Sequence, residues 1–236
     1  MPAHKAFKKA QTDLLYAHER QTNLCDPFVD ALPVRGASLS VLAGGSAQST
    51  VCSSDATAAR LDELQFDLGE GPCWDASSTR MPVLHPDFRD TGAGSWPIFS
   101  RAVHDDPVGD DVAAVFAFPL FGGTLDIGAV DLYSTSTEPL EQAVVGYATE
   151  LASLASWQVL RRILADQGTD DLDEPSTHNR REVHQATGMV LAQLQISADD
   201  AALLLRAHAF SSGRSVAEVA NDVIERRLSF APDSSR

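Results

Sequence analysis

The sequence predicts an α+β domain built on an antiparallel sheet, followed by an all-α three-helix bundle. Three observations predict it. Strand-like and helix-like pieces alternate up to residue 165. An acidic stretch from Asp166 to Ser176, containing Gly168 and Pro175, then interrupts the helical pattern. Beyond it, three apolar stripes at helical spacing each carry their own start or stop signals. The expected boundaries are residues 12–165, 166–176 and 177–230. The chain of 236 residues exceeds one typical domain of about 100–150 residues, which fits one large and one small domain.

In chain order, Thr12 to Leu24 is amphipathic and predicts an opening helix. Ala37 to Ala43 alternates apolar and polar residues before Gly44-Gly45 and predicts a strand. Thr57 to Phe66 has helical spacing. The apolar run Val112 to Leu120 and the segment Leu125 to Tyr133, separated by Gly122-Gly123, predict a hairpin. Ser136-Thr-Glu-Pro-Leu140 resembles a helix start. The helix it opens carries Val144, Ala148, Leu151, Ala155 and Leu160 on one stripe, suited either to its own sheet or to a parallel dimer seam.

After the acidic stretch, Val183, Ala186, Val190, Leu191 and Leu194 form the first stripe of the bundle. Ser197-Ala-Asp-Asp200 supplies a cap and N-terminal acids for a helix over Ala201 to Phe210, with Gly213 as its break. Ser215-Val-Ala-Glu218 matches a capping box, and Val219, Ala220, Val223, Ile224 and Leu228 form the third stripe. So small a bundle has a thin core, and dimerisation is expected to support it.

Hydrophobic content of 44% and charged content of 22% suffice for a globular core. The net charge of −15 resides in residues 1–176, because residues 177–236 hold seven Arg, seven acids and no Lys. Any nucleic-acid contact in the C-terminal part must therefore rest on a few placed Arg and on shape rather than on a broad basic field. Cys25, Cys52 and Cys73 are odd in number and widely spaced, a pattern of reduced thiols more than of a disulfide framework. The opening Lys5, Lys8 and Lys9 precede no apolar core segment, and no stretch approaches the roughly 18 apolar residues of a membrane span. A cytoplasmic protein, neither exported nor anchored, is expected.

The segment Arg181-Glu-Val-His-Gln-Ala-Thr-Gly-Met-Val-Leu-Ala-Gln-Leu194, with Ala202 to Phe210 and Val216 to Ala220, resembles the ANTAR domain end to end. The resemblance implies a three-helix module that binds RNA hairpins in nascent transcripts, commonly as a dimer, and prevents terminator formation. Thr187 stands where the family often has Lys. Gln185, Ala186, Gly188, Arg206 and Arg214 are the expected RNA-binding residues. Gln185 offers a donor and an acceptor, and Ala186 with Gly188 makes a low-relief surface. Arg206 and Arg214 suit phosphate or an unpaired base. The alternatives are close helix packing for Ala186 and Gly188, and an ion pair with Glu218 or Asp222 for Arg206. Arg180, Arg181, Arg226 and Arg227 read as solvated helix-end charges.

The first domain resembles a GAF domain of the kind joined to ANTAR modules in actinobacterial regulators. The carrying residues are Leu64-Gln-Phe-Asp-Leu-Gly-Glu-Gly-Pro-Cys-Trp-Asp75, Val115 to Leu120 and Gly128 to Tyr133. This implies a sensor of a small molecule, redox state or partner. Cys73 sits beside Glu70 and Asp75, which oppose a thiolate. No catalytic residue, metal site or cofactor is predicted. Two alternatives of other classes stand beside the antiterminator. One is a redox enzyme of the methionine sulfoxide reductase kind using the three cysteines. The other is a DNA-binding or dimerisation regulator with Ser215 to Arg227 as recognition helix, against which Glu218, Asp222 and Glu225 count.

Overall fold

The computed structural model describes residues 2–42, 49–165 and 175–231. The chain divides into two compact units, one of residues 1–42 and 50–171, the other of residues 43–49 and 172–236. The Gly44-Gly45 break and residues 166–174 of the acidic stretch lie outside the described residues.

The first unit opens with α1 (Pro2–Leu15), α2 (Ala17–Arg20) and α3 (Asp26–Ala31). The single helix expected over Thr12 to Leu24 is thus two: the chain breaks at Tyr16, and left-handed Gln21 ends α2. Then come β1 (Gly36–Val41), β2 (Ser49–Ser53), α4 (Ala56–Leu68), α5 (Pro72–Thr79), β3 (Val83–His85), α6 (Phe88–Ser95) and α7 (Pro97–Asp105). The unit closes with β4 (Ala114–Gly122), β5 (Leu125–Ser134) and α8 (Gln142–Ala165). The strands form one antiparallel sheet in the order β2-β1-β5-β4-β3. The expected hairpin is β4–β5, with Gly123 at φ +61 in its turn. Helix α8 begins after Pro139 rather than at it, because Ser134 and Ser136 side chains accept from the Ser136 and Glu138 amides and hold a non-helical lead-in.

Side chains alternate between the two faces of the sheet. Leu39, Phe116, Phe118, Val130 and Leu132 on one face are buried. This side is covered by α3 against β1 and α8 against β4 and β5, with α1 packed on α3 and α8. The opposite face lies under α4 and α5. Its hydrophobic part joins Leu61, Leu64, Phe99 and Val103 to Val115 and Tyr133. The same face also carries polar side chains.

One sequence expectation is overturned. Cys25 and Cys52, 27 residues apart, are joined in a disulfide, while Cys73 carries a buried thiol. Wide spacing argued against pairing because it says nothing about proximity. Folding brings the start of α3 to β2.

The second unit comprises α9 (Pro175–Leu194), α10 (Ala198–Ser212) and α11 (Val216–Ile224). Helix α9 starts inside the expected linker, with Pro175 in its first position. The α10 cap is as expected, Ser197 accepting from the Asp200 amide, and Gly213 ends the helix at φ +64. The Ser215–Glu218 capping box is present at α11. That helix stops at Ile224, short of Leu228, because Arg226 adopts a left-handed conformation. Val183, Ala186, Val190, Ala201, Leu205, Ala209, Val219 and Val223 fill a core of small side chains. The following chain folds back: the Phe230 amide donates to Gln193 Oε1 at 3.1 Å, and its ring meets His208 edge-on.

Candidate nucleic-acid interface and sensor cavity

In the second unit the 3.6-residue period of α9 sorts its side chains. Val183, Ala186, Thr187 and Val190 turn inward, and Thr187 donates to the Val183 carbonyl at 2.7 Å. Gln185, Gly188 and Ala192 are exposed along the other side, continued by Gln195 just past the helix end. An added Cβ at Gly188 would meet nothing within 4 Å, so this glycine is not required for helix packing. Ala186 is different. It is fully buried, so it sets the spacing of the helices beneath the surface and cannot itself touch a ligand.

Arg206 is half-buried on α10. Arg214 is engaged within the unit: its guanidinium donates to Asp222 Oδ2 at 2.7 Å and to the Glu218 carbonyl at 3.2 Å. Arg227 donates to the other Asp222 oxygen at 2.6 Å, so two guanidinium groups hold that carboxyl below the usual carboxylate range. Arg226 and Arg227 are exposed, while the side chains of Arg180 and Arg181 lie outside the described residues. The extension of the surface through Ala192 to Gln195 escaped the sequence reading, although the helical spacing from Gln185 and Gly188 was there to find it.

The first unit places a polar cluster under α4 and α5. The register sets Asp131 opposite Ser38 on one side and Ala117 on the other, so Ser38, Ser40, Ala129, Asp131 and Tyr133 share one face. From α4, Asp62 and Gln65 are buried one turn apart. Asp62 is served on both oxygens, accepting from Ser40 Oγ and Thr50 Oγ1, both at 2.5 Å. Gln65 Oε1 accepts from the Cys73 amide at 2.9 Å, and the Gln65 carbonyl accepts from Trp74 Nε1 at 2.9 Å. These bonds tie α4 to the start of α5. They also require Gly71, which sits at φ +142 and whose Cβ would lie 2.5 Å from Gln65.

Asp131 is only 8% exposed, and neither of its carboxylate oxygens receives a hydrogen bond. Burial, and then the nearby Asp62 charge, push its carboxyl well above the usual carboxylate range. The Gln65 side chain is near enough to oppose this slightly without reaching hydrogen-bonding geometry. The adjoining void is about 10 Å³ and is lined by Ser38, Gln65, Phe99, Val115, Asp131 and Tyr133 among others. Cys73 packs on Ala76, Ala117 and Ala129. His85 packs on Trp96 with tilted rings, 5.1 Å between ring centres. Among the described residues no cluster of three or more His, Cys, Asp or Glu side chains could hold a metal.

The chain thus joins an α+β unit built on an antiparallel sheet to a three-helix unit. Comparison with known proteins agrees. Residues 18–157 match the GAF domain model and residues 176–224 the ANTAR domain model, so the chain belongs to the GAF domain family and carries an ANTAR domain behind it. No curated protein matches it. Among solved structures it is similar to the GAF domain of an Acinetobacter phosphoenolpyruvate-protein phosphotransferase, at 10% identity and TM-score 0.50, covering 72% of this chain and 96% of that one. This likeness shows the fold. It is also similar to a domain of a putative two-component sensor histidine kinase from Sinorhizobium meliloti, at 17% identity and TM-score 0.47, over 65% of this chain and 97% of that one. A third is fRMsr of Staphylococcus aureus in its reduced form, at 12% identity and TM-score 0.46, over 65% of this chain and 94% of that one. No single helix among the described residues is long and apolar enough to cross a membrane.

Proposed function

We propose that the protein is a signal-responsive antitermination regulator whose GAF domain senses a small molecule and whose ANTAR domain binds hairpin RNA in nascent transcripts. The observation that carries this reading is the match of residues 176–224 to the ANTAR model, on a bundle presenting Gln185, Gly188, Ala192 and Gln195 along one side. The small Gly188 and Ala192 let bases or backbone approach closely, and the neutral amides of Gln185 and Gln195 at either end hydrogen-bond without a basic field. Arg206 is the cation proposed to reach phosphate. Arg214 acts through its pairing with Asp222, and Ala186 from beneath the surface.

The active form is proposed to be a homodimer. A depression of about 460 Å³ on the first unit, lined by Leu15, Leu154, Trp157, Leu160 and Leu164, supports a seam there, since Trp157 is 60% exposed. The reductase alternative gives the ANTAR domain no part, and the acids of α11 oppose its insertion into a DNA groove.

The test is titration of a labelled paired-hairpin RNA and a duplex DNA with the full chain and with Gln185→Ala and Arg206→Ala variants. RNA selectivity, weakened in both variants, is expected, with thermal unfolding unchanged in Gln185→Ala. Equal affinity for RNA and DNA, or variants that bind like the wild type, would refute the assignment.

A further inference from the structure

We propose that the buried carboxylate of Asp131 anchors a ligand site in the first domain that takes the ammonium group of a small amine. This deepens the sensor half of the function proposed above, and rests on it, by giving the ligand a chemical class.

Two aspartates lie in one buried patch, and they are provided for unequally. Asp62 takes hydroxyl hydrogens from Ser40 and Thr50, so each of its oxygens has a donor from the protein itself. Asp131, facing into the void, receives none on either oxygen. Two neighbouring donors are committed elsewhere, the Cys73 amide to Gln65 and the Tyr133 hydroxyl to Asp55 at 3.2 Å. Ser38 and Gln65 also line the void, and neither donates to Asp131. None of the residues lining the void is Lys, Arg or His. Folded proteins rarely leave a buried carboxylate unserved, because the desolvation cost of an acceptor is then uncompensated. What Asp131 lacks is therefore a donor in bonding position and a positive charge.

An ammonium group supplies both, with three N–H donors and one unit of charge. It is about the size of a water molecule, and a void of about 10 Å³ is near the minimum that holds one. The apolar remainder of the wall, Ala58, Leu61, Pro72, Phe99 and Val115, offers no side-chain oxygen to a metal cation. Where Asp131 is protonated before binding, the incoming R–NH3⁺ replaces that proton, which leaves to solvent; no other bond changes. The titratable groups facing Asp131 are Asp62 from α4, Cys73 from α5 and Tyr133 on its own strand, and none of them supplies a compensating charge.

The experiment follows thermal unfolding of the full chain by tryptophan fluorescence. All three tryptophans, Trp74, Trp96 and Trp157, lie in the first unit, so the signal reports that unit alone. The probe is methylammonium chloride, against NaCl and KCl at equal ionic strength, on the wild type and on Asp131→Asn. The expected result is a rise in Tm of about 3–6 °C at tenfold Kd of methylammonium, absent with the metal salts and in the variant. If Asp131→Asn fails to fold, the wild type still decides. Displacement of the proton makes apparent methylammonium affinity increase with pH, by up to about tenfold per unit. No rise, an equal rise with NaCl or KCl, a rise retained in folded Asp131→Asn, or a pH-independent affinity would overturn the site. RNA titration reads the other domain, so a failure here is distinguishable from failure of the antiterminator reading.

Discussion

Breaking the Cys25–Cys52 bridge should unfold the sensor unit at much lower denaturant. Cross-linking two residues removes conformations from the unfolded chain in proportion to the logarithm of the loop enclosed. For a separation of 27 residues the stabilisation is about 3.5 kcal/mol. In a unit of this size that corresponds to about 7–14 °C in Tm. The perturbation is the double variant Cys25→Ala with Cys52→Ala, and the assay is urea unfolding followed by tryptophan fluorescence. Both sulfurs are buried, so the variant also loses packing. Wild-type protein held in a thiol reductant loses the bridge and keeps both sulfurs. The gap between reduced and oxidised wild type therefore measures the cross-link, and the further gap to the variant measures the packing. A thiol count on the denatured, unreduced protein should find one reactive group, that of Cys73. Three reactive thiols, or oxidised and reduced forms that unfold within about 1 kcal/mol, would refute the reasoning.

Three other outcomes follow from named groups. The Asp131 carboxyl is raised in the folded state, so its favourable contribution is complete below the unfolded carboxylate pKa and is lost as pH rises through the folded value. Asp131→Asn should thus gain on the wild type from pH 5 to pH 8, by up to about 1.4 kcal/mol per unit, in urea unfolding; a constant or shrinking gap would count against it. Ser215→Ala removes the acceptor for the Glu218 amide and should cost about 1 kcal/mol in the second unit, read as helix loss by circular dichroism; an unchanged transition would show the cap to be redundant. Trp157→Asp should convert a dimer to monomers in sedimentation without lowering Tm, whereas a persistent dimer would move the seam elsewhere.

How much of this was legible in the sequence depended on how local the signal was. The Ser197 and Ser215 caps, the Gly213 stop and the Gly123 turn are written within four residues, and each is found where its chemistry demands. The fold class followed from the same local periods. The disulfide could not be read, because pairing depends on where two distant segments meet. Nor could the inequality of Asp62 and Asp131. In Ile127-Gly-Ala-Val-Asp-Leu-Tyr133 a lone acid within a buried strand was visible, but its lack of donors exists only once α4 is laid across the sheet. Arg214 shows the same limit, since the sequence assigned an Asp222 pairing to Arg206 as an alternative and the geometry gives Asp222 to Arg214 and Arg227.

The charge distribution makes a last prediction that separates this output domain from ordinary nucleic-acid binders. Affinity resting on phosphate neutralisation falls with salt in proportion to the cations engaged, with a logarithmic slope of about −0.7 per phosphate on single strands. The C-terminal 60 residues are net neutral, and Arg214 and Arg227 are already paired with Asp222. Engagement of one or two cations gives a slope of about −0.7 to −1.4. The remainder of the chain carries −15 and repels RNA, a repulsion that added salt screens over a Debye length of about 10 Å at 0.1 M. The two effects oppose each other. RNA affinity of the full chain should therefore change by less than about tenfold between 50 and 200 mM salt, where six or more phosphate contacts would cost about a thousandfold. A steep loss across that range would mean that RNA is held by a wider set of cations than Arg206 and the α9 face provide, and would move the interface.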